Sequence, residues 1–386
     1  MKRAWKLAFG AVAGSMLSAS SQAQVPDLLT SFDAGGSALG MGGALQVTGA
    51  DTLSSYYNPA GLGYLAKRQF GLNYRNLPTS NSVSSGTLAP SGRFVDSSGS
   101  AGSRNISHVG FAFPLSDVRK GAGGVLGIAY TIGGFMDDQQ FSPSLTVNDT
   151  LNVTNYHLNR QAKTEFYTLA YGKSNAAQTV SFGVAFNYIR QETSVTEFGT
   201  FSDNSGSFGD PNAISDTGHG FGATIGIQGV PKNAPNTSWG ISYRTPVSLT
   251  GNPNTSDLYG RIPARAMGGI AMRNDNVRGG KDFVVMGAQL GYYFDGRESN
   301  YFDRSNQLTG GIGLEYNRVS STGRIPFRLG FAAVPSGGTG FAARNAVTYG
   351  LGYRPSDDKY SIDLNFAAPQ GGGYDVSFGF NYRFEK

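Results

Sequence analysis

From about residue 67 to the C-terminus, apolar and polar positions alternate with a period of two, interrupted by polar turns. Phe182, Val184, Phe186 and Tyr188 alternate with Ser181, Gly183, Ala185 and Asn187; Val347, Tyr349, Leu351 and Tyr353 alternate with Thr348, Gly350 and Gly352. The last segment is the sharpest, with Val376, Phe378, Phe380, Tyr382 and Phe384 on one side and Asp375, Ser377, Gly379, Asn381 and Arg383 on the other. Successive side chains of a strand point to opposite faces, so each segment has one apolar and one polar face. A transmembrane β-barrel has this pattern, apolar toward lipid and polar or small toward the lumen. A soluble sandwich alternates too, but has less reason to set aromatic residues at both ends of its apolar faces. No repeat of fixed period marks a propeller.

The alternation predicts fourteen strands, at 67–76, 106–115, 124–136, 163–171, 179–193, 219–229, 238–248, 263–272, 282–294, 308–318, 325–333, 346–354, 360–367 and 374–385. Each is near the ten or so residues that a tilted strand needs to cross a bilayer. Bacterial barrels have short periplasmic turns and longer external loops, which gives a second test. Connections 77–105, 137–162 and 194–218 are long and rich in Ser, Asn, Asp and Gly, whereas 116–123, 172–178, 230–237, 319–324 and 355–359 are short. With the N-terminus in the periplasm, every long connection is external. The expected fold is all-β: an antiparallel transmembrane barrel over 67–386.

The one long stretch after residue 30 that does not alternate is Gly35 to Leu62. Ala38, Leu39, Met41, Ala44, Leu45 and Val47 suit a short helix broken by glycines, and Asp51 suits the cap of a second turn through Tyr56. Asn58-Pro59-Ala60-Gly61 ends it, because proline fixes its own φ and keeps the residue before it out of the α region. The sequence thus predicts a small helical plug at 24–66 ahead of the strands. Its run G-x-x-x-x-G-M-G-G-A, the segment TGADTLSSYY and the turn NPAGL resemble the N-terminal hatch of the FadL-like (OmpP1/FadL/TodX) outer-membrane channels for hydrophobic compounds, PorV-type relatives included. The resemblance implies a monomeric barrel that takes up hydrophobic molecules such as long-chain fatty acids passively, capturing them outside and releasing them through a lateral opening into outer-membrane lipid. By the same resemblance, Asn58, Pro59, Ala60 and Gly61 form the gating hatch turn and lie near Gly133 and Gly134, the opening in the third strand. Phe380, Tyr382 and Phe384 then carry the signal read by the barrel assembly machinery. A PorV-type docking role in protein secretion is the alternative.

Composition narrows the choice. With 56 Gly, 20 Tyr, 25 Phe and no Cys in 386 residues, the chain is unlike an ordinary cytosolic enzyme. Past the N-terminus no apolar run is long enough for a membrane-crossing helix. Lys2, Arg3 and Lys6, the apolar Leu7 to Leu17 and the small-x-small Ser21-Gln22-Ala23 make a secretory signal over 1–23, cut between Ala23 and Gln24. Without it the 31 basic residues fall to 28 against 26 acidic ones, so no nucleic-acid partner is implied. No G-x-S-x-G and no Ser, His and Asp set marks a catalytic site. His108, His157 and His219 are too scattered to suggest a metal centre, no cofactor motif occurs, and the acidic loop at Asp203, Asn204, Asp210 and Asp216 lacks EF-hand spacing.

Glycines in the inward register, among them Gly183, Gly226, Gly240, Gly311, Gly313 and Gly330, remove volume from the lumen, either to admit the plug backbone or to leave a passage. Inward Arg75, Arg244, Arg265, Glu315, Arg328, Asp363 and Arg383 are expected to pair with one another and with the plug. Tyr64, Tyr74, Tyr130, Tyr171, Trp239, Tyr243 and Tyr382 read as interfacial aromatics. The strand phase predicts that a bulky label near Ser97 or Asn204 is reached from outside intact cells and one near Asn175 or Asn233 is not; the reverse labelling pattern would refute the phase.

Overall fold

A computed structural model of the chain describes residues 35–78, 80–83, 86–87, 102–116, 123–148, 151–201, 207–251, 261–294, 296–299, 302–304, 306–335, 345–369 and 374–384. The expected signal segment and its expected Ala23/Gln24 junction lie outside them, as do Ser97 and Asn204. Fourteen long strands run in chain order: β1 Gln69–Pro78, β2 Gly102–Pro114, β3 Val125–Asn148, β4 Leu151–Ser174, β5 Val180–Phe201, β6 Ser207–Gly229 and β7 Thr237–Arg244 make the first half. The second half is β8 Arg265–Val277, β9 Asp282–Tyr293, β10 Gln307–Ser320, β11 Gly323–Ala333, β12 Ala346–Pro355, β13 Tyr360–Pro369 and β14 Asp375–Arg383. Each pairs antiparallel with the next, and β14 pairs with β1 from Gln69↔Arg383 to Asn76↔Val376, which closes the barrel.

All fourteen predicted segments are strands, and the outward register carries the apolar side chains. Phe182, Phe221 and Leu329 are 63%, 64% and 59% exposed, and comparable residues encircle the wall. Such a belt would be an aggregation surface in water and is the normal exterior of a barrel in lipid. Among the described residues, no helix is long and apolar enough to cross a membrane.

The expected loops at 137–162 and 194–218 are instead sheet: β3 to β6 run for 22 to 24 residues each. They exceed the bilayer requirement by a dozen residues or so, about 40 Å of extra strand. In this extension one register stays buried but is held largely by polar residues, such as Gln191 and Thr193 beside Val195, so the apolar–polar contrast that identifies a strand fades.

Residues 35–66 fold inside the barrel as a plug. Helix α1 spans Ser37–Gly40, α2 spans Ser54–Tyr57, and a 3-10 helix covers Pro59–Tyr64. The first is shorter than expected because Gly42 and Gly43 take φ of 64° and 84°, and the chain goes on in turns. Asp51 accepts the Leu53 N–H at 2.9 Å, and Asn58 Oδ1 accepts that of Ala60 at 3.2 Å, so each turn starts on its own side chain.

The inward glycines are the seat of this plug. A Cβ at Gly311 would strike the Gly42 carbonyl, one at Gly240 the Val47 carbonyl, one at Gly226 the Asn58 amide, and one at Gly172 or Gly183 the Pro59 backbone. Conversely, a Cβ on Gly42 would strike the Phe331 backbone. Plug and wall thus meet backbone to backbone. Gly222, Gly350 and Gly352 face wall side chains instead. Adding bulk to a filled site costs about 1–3 kcal/mol, so Gly311→Val should lower the melting temperature in detergent. Gly268→Ala, whose added methyl would meet only an atom 4.0 Å away, should not; equal melting of the two variants would refute the seat.

Candidate functional site

The wall is not uniformly closed. Strands β2 and β3 pair from Pro114↔Val125 up to His108↔Thr131 and no further, although β2 goes on pairing with β1 as far as Gly102. On β3, pairing with β4 shifts register between Ile132 and Gly134, a bulge at Gly133. Beyond it, the free edge of β3 takes parallel partners from the chain after β1, starting at Ser80↔Asp138. Among the described residues, six positions of β3, 132 to 137, have no strand on their β2 side, a gap of about 20 Å along the strand. Adjacent glycines at 133 and 134 suit such a bulge.

The plug holds the lower corner of the gap. His108, in the last β2–β3 pair, has Nδ1 at 2.9 Å from Thr131 Oγ1 and Nε2 at 3.1 Å from Thr52 Oγ1 of the plug. Behind the bulge stand two buried rings: a Cβ on Gly133 would lie 2.6 Å from the Tyr56 hydroxyl and would also strike Phe166. The two rings meet edge to face at 5.1 Å. Tyr56 accepts a hydrogen bond from Arg244 Nη1 at 3.1 Å, and the same guanidinium lies 4.9 Å from the Phe166 ring centroid. Arg265, the cross-strand neighbour of Arg244, stands over Tyr56 and Tyr57 at 5.3 and 5.7 Å.

Tyr56, not Asn58, therefore faces Gly133, which corrects the expected contact. Asn58 Nδ2 donates to Val47 O at 2.7 Å and to Ile227 O of β6 at 3.3 Å, three strands from β3. Beside it, Ser181 Oγ donates to Ala60 O at 2.6 Å. The hatch turn is thus the rivet of the plug to β5 and β6; its 3-10 winding aims Asn58 sideways at the wall, while Tyr56 on α2 points at the gap. Tyr64 also belongs to the plug and not to the girdle, since its hydroxyl donates to Gln228 O at 3.0 Å.

The inward charges divide into two kinds. Arg75 grips Asp375 through both Nε and Nη2, and Arg328 lies 2.7 Å from each of Glu315 and Asp363, all buried. Arg244 is only 2% exposed yet has no carboxylate partner among the described residues, and its Nε and Nη2 have no hydrogen-bond partner. A desolvated cation–π contact is worth about 2 kcal/mol, whereas a buried charge deprived of its partner costs about 3–5 kcal/mol. The rings alone do not satisfy it. Its inward register was legible in the sequence; its lack of an acid was not.

On the outside, Tyr130, Tyr167, Tyr188 and Phe221 form a row of rings across β3 to β6, with centroids 5.4, 5.8 and 5.3 Å apart. Just beyond that row come charges: Glu165, opposite Ile132, lies 2.5 Å from Lys163 and 3.1 Å from Arg190. The gap therefore begins at the outer rim of the apolar belt.

No protein-family model matches this sequence, and no curated protein does. Solved structures do. A FadL homologue from Pseudomonas aeruginosa aligns at 15% identity over 95% of this chain and 99% of its own, with a TM-score of 0.54. The monoaromatic hydrocarbon channel CymD aligns at 11% identity over 93% and 99%, with a TM-score of 0.55. This chain has the fold of the FadL-like channels. A deltaS2 mutant of the monoaromatic hydrocarbon channel TodX is as similar, at 13% identity over 92% and 100% and a TM-score of 0.55. The fold is thus shared with few residues in common, which places the weight of any functional reading on this chain's own contacts. Removing the Asn58 amide strands the Val47 carbonyl, at a cost of about 1–3 kcal/mol for a buried acceptor. Asn58→Ala should accordingly raise hydrogen exchange across residues 35–66 while strand amides stay protected; unchanged exchange in the plug would refute its role as a rivet.

Proposed function

We propose that the protein is an outer-membrane channel for hydrophobic molecules that releases its ligand sideways through the gap between β2 and β3. The observation that carries this reading is the end of β2–β3 pairing at His108↔Thr131, beside the bulge at Gly133. Open strand edges are ordinarily paired or covered, and six consecutive unpaired positions at the rim of the apolar belt make an opening in an otherwise closed wall. The two hydrocarbon channels that share the fold make hydrophobic solutes the natural ligand class, with long-chain fatty acids the first candidate. Water-filled pores exclude such solutes; an opening at the rim of the apolar belt delivers them straight into lipid.

In this reading the protein is a monomeric channel and not an enzyme. The turn Asn58-Pro59-Ala60-Gly61 acts at a distance, by fixing the plug so that Tyr56 stands behind Gly133. Phe380 and Tyr382 lie in the outward register of the closing strand and Phe384 directly follows it, with Tyr382 and Phe384 edge to face at 5.0 Å; in this reading the three serve as the signal for the assembly machinery.

Changing Gly133 and Gly134 to Val restores ordinary strand propensity and drives a side chain into Tyr56 and Phe166. Uptake of a labelled long-chain fatty acid and of a labelled monoaromatic hydrocarbon should both fall per folded barrel, the latter measured by heat-modifiable migration. Normal uptake of both ligands at normal barrel levels would sink the lateral route; loss of only one would identify the ligand class.

A further inference from the structure

The two ends of the barrel differ in charge. At the short-turn end, Lys67, Arg68, Lys173, Lys232, Lys281 and Arg318 are all exposed. None of the six has an ion pair among the described residues. The acids described in the turns and strand ends beside them already hold other bases: Asp275 holds Arg273, Asp282 holds Arg278, Asp357 holds Lys359 and Asp358 holds Arg383. The opposite end has no such surplus. Residues 194–218 there include Glu197, Asp203, Asp210 and Asp216 and no base, and on the outer face Lys163 and Arg190 are matched by Glu165 and Glu192.

These bases stand at the edge of the apolar belt. Lys173 is the cross-strand partner of Phe182, one of the most exposed rings of the wall, and Arg318 is the partner of the exposed Ile325. The Arg68 carbonyl accepts the Phe384 N–H at 3.0 Å, which sets that base beside another exposed ring. Strands neighbour one another in chain order, so the bases follow the wall round: the start of β1, the end of β4, the β6–β7 turn, the β8–β9 turn and the end of β10. A folded protein docks on one patch of about 800 Å² and would reach a single sector of this rim. The lipid headgroups around a barrel meet every sector at once.

We infer that this rim is a collar for anionic phospholipid headgroups of the leaflet at the short-turn end. Ammonium and guanidinium groups donate charge-assisted hydrogen bonds to phosphate oxygens, and each Lys or Arg near an anionic lipid surface strengthens attachment by about fivefold. A zwitterionic headgroup gains less, because its own ammonium offsets its phosphate. Held in this way, the barrel keeps a fixed depth in the membrane. The collar lies at the opposite end from the lateral gap, and neither reading depends on the other.

The test offers the full-length protein, in a nonionic detergent, equal amounts of phosphatidylglycerol and phosphatidylethanolamine with identical acyl chains, and measures the lipid retained after size-exclusion chromatography. Wild type should retain phosphatidylglycerol in preference by about tenfold or more. Salt at about 1 M, which cuts the Debye length to about 3 Å, should erase that preference. Lys173→Gln should lower it by about fivefold, and Lys173→Gln, Lys232→Gln and Lys281→Gln together should abolish it. Arg261→Gln, which removes an exposed base from the opposite end, should leave it unchanged. Equal retention of the two lipids by wild type overturns the collar, as does a preference that survives the triple substitution or falls equally in Arg261→Gln. Polyglutamate that displaces phosphatidylglycerol from wild type at a lower concentration than the lipid would assign the rim to an acidic protein and overturn the lipid reading. Should the triple variant fail to fold, the salt series decides: a preference unchanged at about 1 M salt refutes the collar.

Discussion

Close approach of two backbones organises this molecule. The plug enters the barrel because glycines at 42, 172, 183, 226, 240 and 311 carry no Cβ where plug and wall meet. Backbone contact at this range leaves little freedom to slide, since any shift of the plug drives a carbonyl into a strand. The positions of Tyr56, Tyr57 and Asn58 follow from that seat. Hydrogen bonds such as Asn58 to Val47 and Ile227 then fix the register of a contact whose existence depends on glycine.

Electrostatics inside the barrel follow the same division between holding and leaving open. Where β1 meets β14 and where β10 to β13 run together, buried arginines are matched by acids, and the bidentate Arg75–Asp375 grip spans the seam that closes the barrel. Such pairs contribute little net stability but are costly to break, so they specify the arrangement more than they strengthen it. On β7, Arg244 faces the aromatic rings of Tyr56 and Phe166 and, among the described residues, no carboxylate.

The breach beside Gly133 lies at the outer rim of the apolar belt and is backed by other protein. A barrel removes strand edges by closure, and an edge left open is acceptable only at a cavity or where other protein lines it. Here Tyr56 and Phe166 back the opening from within, His108 ties its lower corner to the plug, and the row from Tyr130 to Phe221 leads to it from outside. The same two rings touch both the bulge and Arg244, so the lateral gap and the buried guanidinium share one aromatic partition.

The sequence by itself determined the number of strands, their phase and which face of each meets lipid, because alternation is a local property that needs only the period of a strand and two unlike solvents. It also marked Gly133-Gly134 as a weak place and the inward glycines as missing volume, since both are properties of single residues. It misread the length of β3 to β6, where polar side chains such as Gln191 and Thr193 take the buried register and the local signal fades. Tertiary structure alone decided which plug residue stands behind Gly133, where β2 leaves β3, and that among the described residues Arg244 has no acid while Arg328 has two. Each of these depends on register between segments tens to hundreds of residues apart, and a shift of one residue would exchange every partner.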